Sequence, residues 1–281
     1  MPLRGSLGEN QADSHRFTIK EYSKIHRMPL WKQPEESPVP DNIQKTASSI
    51  PGIRSRNKIL SALPESILTC FTPHFQRVLI HQDDILHRQD KKTKYVYFIE
   101  NGMISLVVGN EDGPRIEAAV VGSEGMIGAL PLWENSPGFH SAVVQMPGKA
   151  LRLPLKVFQE EWKHNAHLQE SVFNYSNFLM AQIAQTALCG RLHSVEERLN
   201  RWLLTSRDRM ESDILELTHD HIAQMLGTRR PSITIALGSL QQANVIECKR
   251  GQIIIKNGTQ LEKTACDCYR ILQSQFQCSR E

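Results

Sequence analysis

Arginine and hydroxyl side chains are concentrated in one short stretch near the C-terminus. The run Thr228-Arg229-Arg230-Pro231-Ser232 offers two guanidinium groups and two hydroxyls, and Thr234 follows two residues later. An arginine can form a bidentate pair with guanine, which predicts that Arg230 reads a base. Hydroxyls and further guanidinium groups suit backbone phosphates, which position a protein on DNA without reading its sequence. We assign that second role to Thr228, Arg229, Ser232 and Thr234.

Two helices joined by a tight turn are predicted to position these groups. Thr218 can cap a helix over His219–Leu226, and Gly227 permits the sharp turn into a second helix from about Arg229 to Gln242. Pro231 is harmless in a first turn, where the amides have no partner within the helix. We also count Thr218 among the DNA-binding residues. Apolar or small groups stand where a helix-turn-helix needs them, at Ile222, Ala223, Leu226, Ile233 and Ala236.

A basic hairpin follows the second helix. The β-rich runs Val245–Cys248 and Gln252–Ile255 flank Lys249-Arg250-Gly251, which predicts a wing with a basic tip. Lys249 and Arg250 are expected to neutralise phosphates and to make binding salt-dependent. The net charge of the whole chain is only +3, but residues 227–258 contain five basic residues against one acid.

A long helix precedes this unit. Ser194-Val195-Glu196-Glu197 has the form of a capping box, which places a boundary near His193. Residues 164–193 contain no proline and, before Gly190, no glycine, so they predict a helix of roughly 40 Å. That length suggests a partner helix, although packing on its own chain alone remains open. The predicted dimer seam comprises Leu168, Val172, Tyr175, Leu179 and Ile183.

The middle of the chain predicts a compact all-β unit. Apolar residues recur at helical spacing from near Lys58, and short β-rich runs follow. Turn-forming pairs such as Asn101-Gly102 and Pro147-Gly148 separate these runs. The fold class is therefore α+β. We divide the chain into a disordered tail (1–57), a β-roll or double-stranded β-helix that acts as sensor (58–163), a dimerisation helix (164–193), a winged helix-turn-helix (194–262) and a C-terminal tail (263–281).

In this order, the elements resemble the Crp/Fnr family of transcription regulators, whose roll is of the cyclic-nucleotide-binding type. The resemblance covers roughly Lys58 to Leu261, and its most specific stretch is LTHDHIAQMLGTRRPSITIALGSL from Leu217 to Leu240. It implies a homodimer on a palindromic operator of double-stranded DNA that recruits or blocks RNA polymerase. Where the cyclic-AMP regulator has a second arginine for base contacts this chain has Ile235, which could meet a thymine methyl.

The sensor pocket departs from the cyclic-AMP-responsive members of that family. Their glutamate after an Ile-Gly pair is replaced here by Ala129, which follows Gly128, and their arginine beside a serine is His140, which precedes Ser141. The hydroxyl residues that contact the purine would fall at Ile183 and Ala184. Losing one buried hydrogen-bonding partner commonly costs about 1 to 3 kcal/mol, so we expect no response to cyclic AMP.

Other cofactors receive little support from the sequence, and the effector stays unknown. No cysteine precedes Cys70, whereas an iron-sulfur sensor of this family carries N-terminal cysteines. Haem is harder to exclude, with His74, His81 and His140 as potential ligands. Cys266, Cys268 and Cys278 could bind a metal or oxidise, but their spacing matches no zinc signature, so no metal site is predicted. The alternatives are an effector-independent regulator whose activity follows its own concentration in the cell, and a regulator that acts as a haem or redox sensor.

Composition limits the remaining function classes. No window approaches the roughly 18 apolar residues of a membrane helix, six scattered cysteines fit a reducing compartment, and we expect a cytoplasmic protein without a membrane partner. The catalytic motifs that we sought are absent, so an enzyme is not expected. The polar tail leaves open whether Met1 or Met28 is the true start.

Overall fold

The computed structural model describes residues 55–89, 91–109, 115–128 and 138–278. The predicted tail therefore lies outside the described residues, except for its last three. Of these, Asn57 is fully buried: its Oδ1 accepts from the amide of Leu60 at 3.1 Å, and its Nδ2 donates to the carbonyls of Ile99 and Gly125. The ordered roll thus begins before Lys58, because a buried asparagine joins the incoming chain to strand β3 and to the turn that precedes β5.

An antiparallel sheet forms the N-terminal unit. Two short helices, α1 (Lys58–Ala62) and α2 (Glu65–Phe71), precede it, and Pro64 separates them. The strands are β1 (Gln76–Ile80), β2 (Ile85–His87), β3 (Tyr95–Gly109), β4 (Arg115–Val121), β5 (Met126–Ile127) and β6 (Ser141–Pro154). They pair in the order β1-β6-β3-β4, with β2 on β6 and β5 on β3. The sequence did not predict β2 and β5, which are too short to show a period.

Two predicted turns are instead irregularities inside long strands. Asn101-Gly102 lies within β3 and Pro147-Gly148 within β6, and the register between these strands shifts on both sides of Asn101. Gly102 has φ +102°, and a Cβ at Gly148 would stand 2.1 Å from the carbonyl oxygen of Asn101. The glycines are therefore needed because the two backbones approach closely while both strands bend.

The long helix is present, but its predicted dimer seam is wrong. Helix α3 (Leu155–His164) leads into α4 (Ala166–Leu192), which Asn165 caps. Leu168, Val172, Tyr175 and Leu179 are buried in the core of the chain's own roll, and Ile183 packs against that core; Tyr175 also donates to the carbonyl of Met126 at 2.9 Å. The apolar stripe that we assigned to a partner helix therefore holds α4 on its own sheet.

A second stripe along α4 is exposed. It follows the alternating four-and-three spacing of a coiled coil and comprises Phe173, Asn177, Met180, Ala184 and Ala187. Phe173 and Met180 are 51% and 67% exposed, which is unusual for such large apolar side chains on a helix. This exposed stripe lies on the opposite side of the helix from the buried one.

The predicted winged helix-turn-helix is confirmed element by element. Its members are α5 (Val195–Met210), β7 (Ile214–Leu215), α6 (His219–Met225), α7 (Arg230–Gln242), β8 (Ile246–Lys249) and β9 (Gln252–Ile255). The capping box at Ser194 and Glu197 is formed in both directions. The added strand β7, which pairs with β9, was not predicted. No helix in the described ranges is long and apolar enough to span a membrane.

The segment that we described only as a C-terminal tail folds into helices. Helix α8 (Gly258–Thr264) is followed by α9 (Cys268–Cys278), which packs against α4 and α5. Tyr269 is 6% exposed, and its hydroxyl donates to a carboxylate oxygen of Asp208 at 2.9 Å. The end of the described chain is thus fixed to the junction between the roll and the DNA-binding unit.

A buried acid joins the roll to the DNA-binding unit. Trp202 of α5 donates from its indole nitrogen to Oε1 of Glu117 in β4 at 2.8 Å, and Ser105 lies 2.5 Å from the other oxygen. Burial raises the pKa of Glu117 to about 7, although these two hydrogen bonds lower it in part. Nearby, Arg209 pairs with Glu124 at 3.0 Å across the same interface.

The pKa of Glu117 predicts how stability changes with pH. Unfolding returns this pKa to about 4.5, so between about pH 4.5 and 7 the folded state holds a proton that the unfolded state has lost. The free energy of unfolding of the wild type, relative to Glu117→Gln, should therefore fall as pH rises through this window and become constant above it. The total change should be at most about 3 kcal/mol.

The measurement is denaturant unfolding of both proteins from pH 5 to 8, since their difference cancels every other titrating group. Glutamine can keep both hydrogen bonds, so the variant should fold. Glu216→Gln, which removes an exposed acid, is the control and should follow the wild type. A wild-type curve parallel to that of Glu117→Gln at every pH would contradict the prediction.

Candidate nucleic-acid interface

The two helices of the motif cross at a turn that the local sequence specifies. Thr218 caps α6 by accepting from the amide of His221 at 3.2 Å, as predicted. Gly227 has φ +57°, a left-handed conformation that favours glycine, and Thr228 then donates its amide to the carbonyl of Ala223 at 2.9 Å. Ala223 is fully buried between the helices, where a larger side chain would separate them.

This turn leaves the first turn of α7 exposed. Arg229 stands at the N-cap and Arg230 is the first helical residue, and both side chains are exposed, whereas Ser232 is half-buried. Ile235 is 67% exposed although it is a large aliphatic residue. Arg230 lies 3.5 Å from Asp220, in an exposed ion pair of a kind that contributes little to stability and that a stronger partner can displace.

The remaining hydroxyls differ in their availability. Thr234 is exposed, but its hydroxyl lies 3.0 Å from Nδ1 of His219, which fixes it against α6. Thr228 is half-buried at the turn between the helices. Thr218 uses its oxygen as the helix cap. These three can still meet a phosphate, but each first makes a contact within the protein or is partly covered by it.

The wing places further cations beside this helix. Lys249 pairs with Gln252 across the hairpin, and Gly251 at its tip has φ +73°. Lys249 and Arg250 are exposed, as predicted. Glu247 lies 2.7 Å from Lys256 and 3.2 Å from Lys249, and the hydrogen bond from Lys256 is the main reason that the pKa of Glu247 is lowered. One wing carboxylate therefore offsets part of the positive charge.

Two histidines occupy the region of the predicted effector pocket. The rings of His87 and His140 meet edge to face with centroids 5.5 Å apart. Burial lowers the pKa of both, that of His140 to about 4, so both imidazoles are neutral at ordinary pH. Ser141 accepts from the amide of Gln89 at 3.0 Å. The place that would hold an anionic phosphate thus contains neutral rings and a hydroxyl that is already engaged.

The other predicted pocket residues do not converge there. Gly128 adopts φ +91° at the end of β5, and Ala129 lies outside the described residues. Ile183 faces the roll, but Ala184 is exposed on the opposite side of α4. Of the potential haem ligands, His74 and His81 are exposed, whereas His140 is inside the roll, so the described structure does not bring them together.

Sequence reasoning found only half of one cluster of chemistry-bearing residues, since it considered Cys266 and Cys268 as ligands but not Cys189 or His193. Cys189, His193, Cys266 and Cys268 meet at the end of α4, although 77 residues separate Cys189 from Cys266. No sequence spacing could have shown this, because the ligand atoms come from separate elements. The prediction that the chain has no metal ligands was based on the spacing of the C-terminal cysteines alone.

Comparisons with known proteins match both units. The cyclic nucleotide-binding domain matches residues 77–165, and the Crp-like helix-turn-helix domain matches residues 197–264. The Global nitrogen regulator of Synechocystis sp. is 26% identical over 180 residues, which are 60% of this chain and 79% of that protein.

Solved structures share the fold at lower sequence identity. FixK2 from Bradyrhizobium japonicum superposes with a TM-score of 0.59 at 15% identity, over 68% of this chain and 98% of that one. A CRP/FNR-family transcriptional regulator of Thermus thermophilus gives a TM-score of 0.57 at 17% identity, with the same coverage. With a cyclic nucleotide-binding roll, a long helix and a Crp-like helix-turn-helix in this order, the chain belongs to the Crp/Fnr family of transcription regulators.

Proposed function

We propose that the protein regulates transcription as a homodimer that binds a two-fold symmetric DNA operator. The observation that carries this proposal is the exposed first turn of α7, which bears Arg229 and Arg230, on a helix whose C-terminal end contacts the basic wing through Gln241 and Cys248. In such motifs this end of the second helix enters the major groove. Residues 58–163 act as the sensor unit, 164–193 as the dimerisation helix and 194–262 as the DNA-binding unit. Recruiting or blocking RNA polymerase would follow from binding near a promoter.

The exposed residues of this surface divide into two roles. Arg230 reads a guanine after leaving Asp220, and the exposed Ile235 contacts a thymine methyl. The other predicted contacts position the protein on phosphates: Thr218, Thr228, Arg229, Ser232, Thr234, Lys249 and Arg250. Because only the first role depends on sequence, the two can be separated experimentally.

Selection of bound sequences from random duplex DNA tests the base-reading role. The wild type should enrich a palindrome whose half-sites lie about one helical turn apart. Arg230→Ala should lose the preference for one guanine in each half-site, a discrimination of about 1 to 3 kcal/mol. Arg229→Ala is the matched control: it should bind all sequences more weakly and keep the consensus.

Two results would oppose this assignment. If Arg230→Ala enriches the same consensus as the wild type, Arg230 does not read a base. If the wild type enriches no sequence either alone or in extract from the source cells, the proposed regulator of a defined operator is wrong.

Dimer formation is proposed to use the exposed stripe of α4 rather than the buried one. Phe173 and Met180 are the large apolar side chains of that stripe, and Asn177, Ala184 and Ala187 leave room for a second helix to approach. A symmetric dimer along α4 would bury these groups and pair two recognition helices. The corrected seam therefore accounts for apolar surface that the single chain leaves in water.

Met180→Glu should convert the dimer to a monomer at micromolar concentration, because it would bury two like charges in the seam. Sedimentation velocity measures the change, and affinity for a palindromic site should fall in parallel. Leu79→Glu is the control, since Leu79 is also a large exposed apolar residue, at 51%, but lies on β1. A Met180→Glu protein that sediments as a dimer would place the interface elsewhere.

The roll is proposed not to respond to cyclic AMP. The neutral pair His87 and His140 offers no cation for a cyclic phosphate, and Ser141, whose oxygen accepts from the amide of Gln89, offers only a neutral hydroxyl donor. Among the described residues, these groups supply no counter-charge to a buried cyclic phosphate, which makes its binding unfavourable. The name of the Global nitrogen regulator specifies no effector, so likeness to it does not assign one to this chain.

Calorimetric titration of the dimer with cyclic AMP at pH 7.5 should show no binding at micromolar concentrations, and the nucleotide should leave DNA affinity unchanged. Replacement of the lost cation provides the contrast: His140→Arg should bind the nucleotide more tightly than the wild type if the charge is the missing element. Submicromolar binding to the wild type would overturn this part of the proposal.

A further inference from the structure

Three cysteines and a histidine converge where the long helix ends. Cys189 lies in the last turn of α4 and His193 is its C-cap, while Cys266 and Cys268 belong to the connection from α8 to α9. Their ligand atoms all lie within 4.8 Å of one another. The Sγ atoms of Cys189 and Cys266 are 3.5 Å apart, as are Sγ of Cys268 and Nδ1 of His193.

These distances are those of a tetrahedral ion site. Zinc binds thiolate sulfur at about 2.3 Å and imidazole nitrogen at about 2.0 Å, so the sulfur–sulfur edge of its tetrahedron is roughly 3.8 Å. Two of the six distances between ligand atoms are already close to this length. The remaining pairs lie within 4.8 Å, and small side-chain rotations would shorten them to the edge of a tetrahedron. The three cysteines are at most 5% exposed and His193 is half-buried, so solvent can reach the ligands only from the side of the histidine.

The surroundings favour an anionic centre. A divalent ion with three thiolates and a neutral imidazole carries a net charge of −1, and the positive charges of Arg198 and Arg201 act on this cluster. Arg201 is buried, and its Nε has no hydrogen-bond partner among the described residues. Gln185 donates to Sγ of Cys268 at 3.0 Å, the kind of outer contact that orients a metal ligand.

We propose that Cys189, His193, Cys266 and Cys268 bind one Zn²⁺ ion in a structural site. Four protein ligands complete the tetrahedron and leave no open position for a substrate, which distinguishes a structural site from a catalytic one. An iron-sulfur cluster would need ligands spread over several metal atoms, and this set closes around one. A disulfide between Cys189 and Cys266 would use only two of the four groups.

The position of this ion would connect the sensor to the DNA-binding unit. His193 directly precedes Ser194, which caps α5, and α9 on the other side holds α5 through Tyr269 and Asp208. Bound zinc would clamp the end of α4 to the start of α9 and so fix the angle at which α5 leaves the long helix. Removal of the metal would release this clamp.

Metal analysis of the full-length protein, purified under reducing conditions without an affinity tag that binds metals, tests the site. We expect one zinc per chain, and Co²⁺ substitution should give the intense visible bands of tetrahedral thiolate coordination. Cys189→Ser and Cys268→Ser should retain well under one ion. Cys248→Ser, a matched change at a half-buried cysteine of the wing, should keep the full stoichiometry.

A rescue separates metal binding from simple unfolding. His193→Ala should weaken zinc binding, whereas His193→Cys should restore it and shift the Co²⁺ spectrum towards four-sulfur coordination. Treatment with a chelator should lower the melting temperatures of the wild type and of Cys248→Ser by the same amount. The same treatment should leave the melting temperature of Cys189→Ser unchanged. A reduced wild type that holds no zinc and yields no tetrahedral Co²⁺ spectrum would overturn the proposal, as would a Cys189→Ser protein with full stoichiometry.

Discussion

The geometry of α4 constrains the rest of the molecule. A helix of 27 residues is about 40 Å long, and its side chains point in every direction around its axis. One face, centred on Leu168 and Leu179, is buried in the roll, and the end near Cys189 meets the C-terminal helix. The stripe through Phe173 and Met180 is left exposed, as are Leu188 and Leu192 towards the C-terminal end of the helix. Because the roll covers one face of α4, a partner chain would have to approach the helix from the side that faces away from the roll.

The two units are joined by polar contacts as well as apolar packing. Glu117 accepts from Trp202 in a buried position, and Arg209 of α5 pairs with Glu124 of the roll at 3.0 Å. Buried hydrogen bonds are directional, so they select one relative placement where apolar packing would tolerate several. Burial raises the pKa of Glu117 to about 7, so this carboxyl loses its proton near neutral pH. The way the DNA-binding unit sits on the roll is therefore expected to depend on pH. A change in the roll could reach α5 through the same residues.

The sequence predicted those features whose signals lie within a few neighbouring residues. The helix-turn-helix and wing follow from caps, turn glycines and short apolar patterns, and each of these acts within a few residues, so Thr218, Gly227 and the hairpin could be placed. Two stripes of α4 carry apolar residues, and periodicity cannot tell which one the chain's own sheet covers. In the sequence, Gly102 and Gly148 indicate turns equally well, because glycine serves both a turn and a close crossing of strands. Only the three-dimensional structure separates these cases.

The predicted sensor residues show that the charge of a side chain also depends on residues that are distant in the sequence. Replacement of an arginine by His140 was visible in the sequence, but its consequence depends on burial and on His87, which lies 53 residues earlier. An exposed histidine could have carried a charge and held a phosphate. Buried against a second imidazole, His140 stays neutral, because desolvation and the neighbouring ring both oppose protonation. The neutral state of His140 therefore results from packing as much as from the residue type itself.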